Sequence, residues 1–227
     1  MPFWDRLQNF IDIATRRTFG AVFDALAEQK AKRDEAAFSI ALIALSAKMA
    51  KADGVVSDDE IEAFRRFFSY PESEARKVEM VYRLAQQDVA GFEHYLARVA
   101  KIFEDDRQVL EDVLDCLFYV AVADGVEHPR EKAFLDKAAE LFGVSPAAYR
   151  RLRAVHFGLD ADDPFVVLGV EPEADKVAIK VAYRALVRDH HPDALIARGV
   201  PAALVKIAEA RMAAINTAYE KAMTAAA

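Results

Sequence analysis

Ile179 to Asp193 reads IKVAYRALVRDHHPD. Within it Ile179, Ala182, Tyr183, Leu186, Val187 and His190 recur at i, i+3, i+4, i+7, i+8 and i+11, which is one face of a helix. Lys176, Lys180, Arg184 and Arg188 recur every four residues. At about 100° per residue each such step drifts only about 40°, so the four cations form a basic stripe on an exposed side. Pro192 biases His191 away from the helical conformation and stops the helix there. The stretch HPDALIARG is expected as a loop, leading to a last helix from about Val200 to Met223. Met212, Ile215, Ala218, Tyr219 and Met223 give that helix an apolar face, set to pair antiparallel with the first. The short PFVVLGV segment, through Phe165, Leu168 and Val170, would close the base of the hairpin.

The same 3.6-residue period runs through the rest of the chain, and no segment alternates with period 2 for long. Composition agrees. There are 44 Ala among 227 residues and only eight each of Gly and Pro, which favours an all-α fold. At about 150 residues per domain, one or two domains fit. FGLDADDP, residues 157–164, is the best boundary, with a helical domain before it and a small helical unit after it. The expected division is an amphipathic N-terminal segment 1–34, a helical bundle 35–156, a linker 157–162 and a C-terminal unit 163–227.

Several classes are excluded early. One cysteine, Cys116, allows neither an internal disulfide nor a cysteine-based zinc site, and its apolar run LDCLFYV suggests an inert buried thiol. The most apolar run, Ala36 to Ala47, has 12 residues. A bilayer span needs about 20, so this is a core helix. MPFWDRLQNF lacks the basic-then-apolar pattern of a secretory signal. Phe3, Trp4, Leu7 and Phe10 could contact a membrane surface, but packing on the chain's own domain is the preferred expectation. The net charge of −7 argues against nucleic acid as a partner. That charge is uneven: from Ala161 onward there are 8 basic and 9 acidic residues, so the basic stripe sits on a nearly neutral unit.

The larger domain contains a repeat. AKADGV at 50–55 matches AVADGV at 121–126, and Glu60 matches Glu131, each seven residues after its Asp. In both copies a helix ends at Asp-Gly and a capped one follows: Ser57 with Glu60, then His128-Pro129 with Glu131. Two pseudo-equivalent helix-turn-helix units are therefore expected to pack together. An EF-hand is rejected, because its first ligand positions would fall on Met49 and Lys51, or on Val120 and Val122. Asp53, Asp124, Glu60 and Glu131 are weak candidates for a divalent cation, and helix capping is the preferred reading of all four.

On these residues the 35–156 segment resembles the all-helical TerB (tellurite-resistance) family. The leading LGV, the YR-x-L core of the basic helix, His191-Pro192-Asp193 and the terminal IN-x-AYE together resemble the J domain of DnaJ-type co-chaperones. A TerB-like domain before a C-terminal J domain resembles the DjlA-like kind. The resemblance implies docking on a DnaK-type ATPase and stimulation of its ATP hydrolysis. Lys176, Lys180, Arg184 and Arg188 would meet an acidic surface. Asp193 would accept a hydrogen bond from a partner arginine, and His191 and Pro192 would fix the loop.

The chain departs from the family pattern at several points. Phe165 stands where Tyr is frequent, Val181 and Ala185 where Lys is, and His190 where Tyr is. The Gly/Phe-rich and cysteine-rich modules of full DnaJ, and the N-terminal membrane-spanning helix typical of DjlA, are not seen. The expectation is a non-enzymatic, cytoplasmic co-chaperone, peripheral to the inner membrane if residues 1–34 bind there. No cofactor or nucleic acid is implied, and the clients are unnamed. The competing reading is a metal-binding stress-response module with an accessory J domain.

Overall fold

The computed structural model describes residues 12, 35–52, 75–87, 91–122, 128–157, 163–198 and 205–226. These form ten helices, with no strand among them. Helix α1 is Glu35–Ala52, the expected core helix. Every residue from Phe38 to Met49 is buried, so the helix has no solvent face to distinguish. Lys48 is the one cation among them, and its Nζ lies 4.5 Å above the Tyr95 ring.

Helix α2 (Ala75–Gln87) covers α1 with Val78, Val81, Tyr82 and Ala85. Helices α3 (Phe92–Ile102) and α4 (Arg107–Ala121) follow. Asp106 caps α4, its carboxylate accepting from the Val109 N–H at 3.4 Å. Helices α1 and α4, which carry the two copies of the repeat, pack against each other. The two Asp-Gly turns, with Asp53, Glu60 and Asp124, lie outside the described residues, as does the amphipathic pattern of residues 1–34 apart from Asp12.

Helix α5 (Pro129–Phe142) starts as expected, with Pro129 at its first position and the Glu131 carboxylate accepting from the His128 N–H at 3.4 Å. Gly143, at φ 66°, closes it in the left-handed conformation that a side chain resists. Helix α6 (Pro146–Phe157) is capped by Ser145, whose Oγ accepts from the Ala148 N–H at 3.2 Å.

The C-terminal unit is built from α7 (Pro164–Leu168), α8 (Lys176–His190), α9 (Pro192–Ala197) and α10 (Val205–Ala225). Helix α8, expected from about Glu173 to His190, begins three residues later, at Lys176. Asp175 is its cap, accepting from the Ala178 N–H at 2.7 Å. A second correction concerns HPDALIARG, which is not a plain loop. Its first seven residues make a cap and a short helix. Pro192 occupies the first helical position, and His191 Nδ1 accepts from the Asp193 N–H at 3.2 Å.

The helical hairpin is as expected. Ile179 and Leu186 of α8 are buried with Ile215, Ala218 and Ala222 of α10. The Tyr183 and Tyr219 rings stack at 4.1 Å, and the Tyr183 hydroxyl donates to Asn216 Oδ1 at 3.0 Å. Val167 and Leu168 of α7 close its base.

Two hydrophobic cores result, and they interlock. Leu195, Ile207 and Ala208 of the C-terminal unit belong to the bundle's core. Ala154 of α6 belongs to the hairpin's core, with Val155 packed against it. No helix among the described residues is long and apolar enough to cross a membrane. Leu117 sits at the centre of the larger core with no exposure. Its replacement by Ala is expected to lower the unfolding free energy by about 3 kcal/mol, through lost burial and a residual cavity, measured by urea denaturation.

Candidate functional site

The described residues place Lys176, Lys180, Arg184 and Arg188 on the exposed side of α8, opposite its buried Ile179 and Leu186. Arg188 is partly occupied. Its Nε and a terminal nitrogen donate to the Asp189 carboxylate at 2.8 and 3.2 Å. Val177 and Val181 are also exposed, so the outward face of α8 is basic with two apolar side chains set into it.

At the end of the stripe the helix stops at His191 and α9 starts. The Asp193 side chain is 89% exposed and the His191 side chain 51% exposed. Because His191 Nδ1 accepts a backbone N–H, the neutral ring carries its proton on Nε2, facing away from that bond. The structure thus leaves His191, Asp193 and the basic stripe open to solvent, with Pro192 half-buried and the turn following directly on the end of α8. His190 and His191 are adjacent in sequence but part company: His190 is buried and His191 faces solvent. They do not form a pair of ligands. Of the four weak metal candidates, only Glu131 is described. It is buried, and its carboxylate takes the His128 N–H.

The opposite side of the unit rests on the bundle through charges that the periodicity did not reveal. Helix α4 carries Glu111, Asp112 and Asp115, and both aspartates are buried within an apolar stretch. Arg198, just after α9, places its Nε 2.9 Å from Asp112 Oδ2. Another Arg198 nitrogen donates to the Asp189 carbonyl at 2.9 Å. Arg211 of α10 has a fully buried side chain and reaches Asp112 at 3.4 Å and Asp115 at 3.1 Å. His156 of α6 completes the Asp115 environment at 2.7 Å, its ring stacked on Phe118. Arg151 of α6 binds Glu111 at 2.6 Å.

Charge and burial set the protonation states here. Burial pushes the Asp112 carboxyl up to about 6, against the pull of Arg211 and Arg198. Burial also opposes charge on Asp115, but Arg211 and His156 outweigh it and hold that carboxyl below its ordinary range. His190 is pushed down to about 2, first by burial and then by Arg211 and Arg151, so it is neutral at every physiological pH. Its Nε2 lies 3.7 Å from Glu111, too far for a hydrogen bond. Burial raises the Cys116 thiol, consistent with the inert thiol expected.

A signal for this cluster was present in the sequence. Asp112 and Asp115 interrupt the run VLEDVLDCLFYV, and Arg211 falls among the apolar positions of α10. Charges placed at core positions require partners. Which partners they find depends on how the helices meet.

Residues 39–154 match the family described as tellurite resistance protein TerB. Residues 163–221 match the DnaJ domain. Curated relatives named co-chaperone protein DjlA are similar to this chain. That of Vibrio parahaemolyticus is 29% identical, over 84% of this chain and 78% of its own length. That of Photobacterium profundum is 28% identical, over 94% and 88%. That of Escherichia coli K12 is 34% identical, over 47% and 48%. No solved structure matches.

The burial of neutral His190 makes a testable statement about acid. The unfolded imidazole takes up a proton near its ordinary value, about 6.5, whereas the folded one does not. Its contribution to stability is therefore present above about pH 6.5 and lost as the pH falls. His190→Gln removes that loss. The variant's unfolding free energy relative to wild type should rise by about 1.4 kcal/mol for each pH unit below 6.5. Urea denaturation of both proteins between pH 7 and pH 5 reads it, and parallel pH profiles would refute it.

Proposed function

Because the chain belongs to the TerB family and ends in a DnaJ domain, we propose that it is a co-chaperone that docks on a DnaK-type chaperone and stimulates ATP hydrolysis by it. The name that its relatives bear supports the co-chaperone role. The observation that supports the reading is exposure: the basic stripe along α8 and His191 and Asp193 just beyond its end are open to solvent, while Leu195, Ile207 and Ala208 pack into the bundle's core. In this reading residues 35–156 form the TerB-like unit, 163–227 the J unit, and 157–162 join them.

The parts divide the work by their chemistry. Lys176, Lys180, Arg184 and Arg188 attract and orient an acidic surface, a contribution that speeds encounter more than it deepens affinity. Val177 and Val181, exposed between them, offer apolar area where the family pattern would place more charge. Asp193 accepts a charge-assisted hydrogen bond from a partner arginine; its carboxylate is 89% exposed and has the His191 ring near it, with Nδ1 3.7 Å away. His191 holds the start of α9 through Nδ1, which sets where Asp193 points. In this reading the chaperone, rather than this chain, cleaves the ATP. The chain acts by favouring the chaperone conformation in which hydrolysis is fast, and that requires tighter contacts with that state than with the resting one.

Steady-state ATP turnover of a DnaK-type chaperone tests the reading. The full chain should raise the rate, and His191→Gln should abolish the increase while leaving the helical content unchanged. Equal turnover with and without the chain would defeat the proposal. Arg184→Ala should raise the concentration needed for half-maximal stimulation by about threefold to tenfold at low ionic strength. That gap should shrink as salt screens exposed charges beyond a Debye length of about 8 Å.

A further inference from the structure

The buried charges between the two units do more than fasten them together. The Arg198 guanidinium makes two contacts at once. One is with Asp112 of the bundle at 2.9 Å, and the other is with the Asp189 carbonyl, also at 2.9 Å. Asp189 lies two residues before His191, and Arg198 lies five residues after Asp193. Between them Leu195 is buried in the bundle's core. The exposed His191-Pro192-Asp193 turn is thus spanned by three fixed points, two of which depend on helix α4.

We propose that Asp112 and Arg198 are positioning residues for the His191-Pro192-Asp193 turn, so that the TerB-like bundle sets the geometry with which the J unit addresses its chaperone. This deepens the function proposed above and rests on it. The physical reason lies in the ends of α8 and α9. The last carbonyls of a helix have no partner within it, and the chain is free to fray there. Arg198 supplies a charged donor to one of those carbonyls. Its planar fork can also hold a carboxylate in the same arrangement, which an ammonium group cannot reproduce. Asp112 is an effective anchor because it is itself immobile, 1% exposed on a buried helix and also contacted by Arg211. The His191 side chain makes one bond to its own short helix, through Nδ1, and its carbonyl accepts from the Ala194 and Leu195 N–H groups at 2.9 and 3.1 Å. A six-residue helix holding a 3.2 Å cap is a weak device by itself.

This arrangement separates two quantities. The basic stripe governs how readily the chaperone is met. The tie from Asp112 through Arg198 governs what fraction of bound J units presents Asp193 correctly, and apparent activity falls in proportion to that fraction. Arg198→Gln in the full chain cuts the tie and leaves Asp112 still paired with Arg211. It should lower the maximal stimulation of ATP turnover by about fivefold to tenfold. The half-saturating concentration should stay within about twofold, because the stripe is untouched. Asp112→Asn, which retains the Arg198 side chain but removes the charge that anchors it, should act in the same direction.

A second readout needs no chaperone. By hydrogen exchange, the amides of residues 190–198 should lose about tenfold of their protection in Arg198→Gln, while α10 keeps its own. If the wild type does not stimulate turnover, the functional reading fails and the exchange result still decides the tie. Unchanged maximal stimulation in Arg198→Gln would overturn the proposal. So would unchanged exchange over 190–198, or a loss of protection spread across α8 and α10, which is damage to the fold.

Discussion

Two aspartates in the middle of a buried helix are the constraint that organises this molecule. Asp112 and Asp115 sit on α4 among Val109, Val113, Leu114 and Leu117, where an unpaired carboxylate would be severely destabilising. Their partners come from elsewhere in the chain: Arg198 and Arg211 from the J unit, His156 from the end of the bundle. Removing one partner of such a group costs about 3 to 5 kcal/mol, because the remaining charge stays buried. The bundle therefore satisfies its own core only when the J unit is seated on it. Apolar contacts act in the same sense, with Leu195, Ile207 and Ala208 in one core and Ala154 in the other.

The protonation states follow from that seating. Three guanidinium groups, those of Arg151, Arg198 and Arg211, surround Glu111, Asp112 and Asp115, and His190 beside them is left without a role for a proton. A tyrosine is frequent at that position in the J-domain pattern. Here a neutral imidazole fills it at the seam between the units. Asp112 and Asp115 illustrate how position decides charge: one is driven up by burial, the other is held down by Arg211 and His156.

The two faces of the J unit are consequently unlike. One is charged, buried and committed to the bundle. The other carries exposed cations, two exposed valines and the open His191-Pro192-Asp193 turn. The second is open to solvent, and the end of α8 on it is tied to the first through Arg198, which contacts both Asp112 and the Asp189 carbonyl. The acidic total of the whole chain thus says little about either face. It is set mostly by the bundle, whereas the C-terminal unit is nearly neutral with a basic side.

Much of this was legible in the residues. The helical period locates α1 and α8, and His128-Pro129 marks where α5 starts, because these are local properties of backbone hydrogen bonding. The stripe, the hairpin pairing of Tyr183 with Tyr219 and the exposed turn also follow from spacing along one or two helices. Short range failed in two places. The helix after Pro192 looks like loop in the sequence, because six residues leave no period to detect. The seam between the units was invisible, because Asp112 and Arg198 are 86 residues apart and Asp112 and Arg211 are 99 apart. The sequence by itself determined that charges stood at core positions and had to be answered. Tertiary structure alone decided which charges answered them, since that depends on where three helices cross rather than on any spacing along the chain.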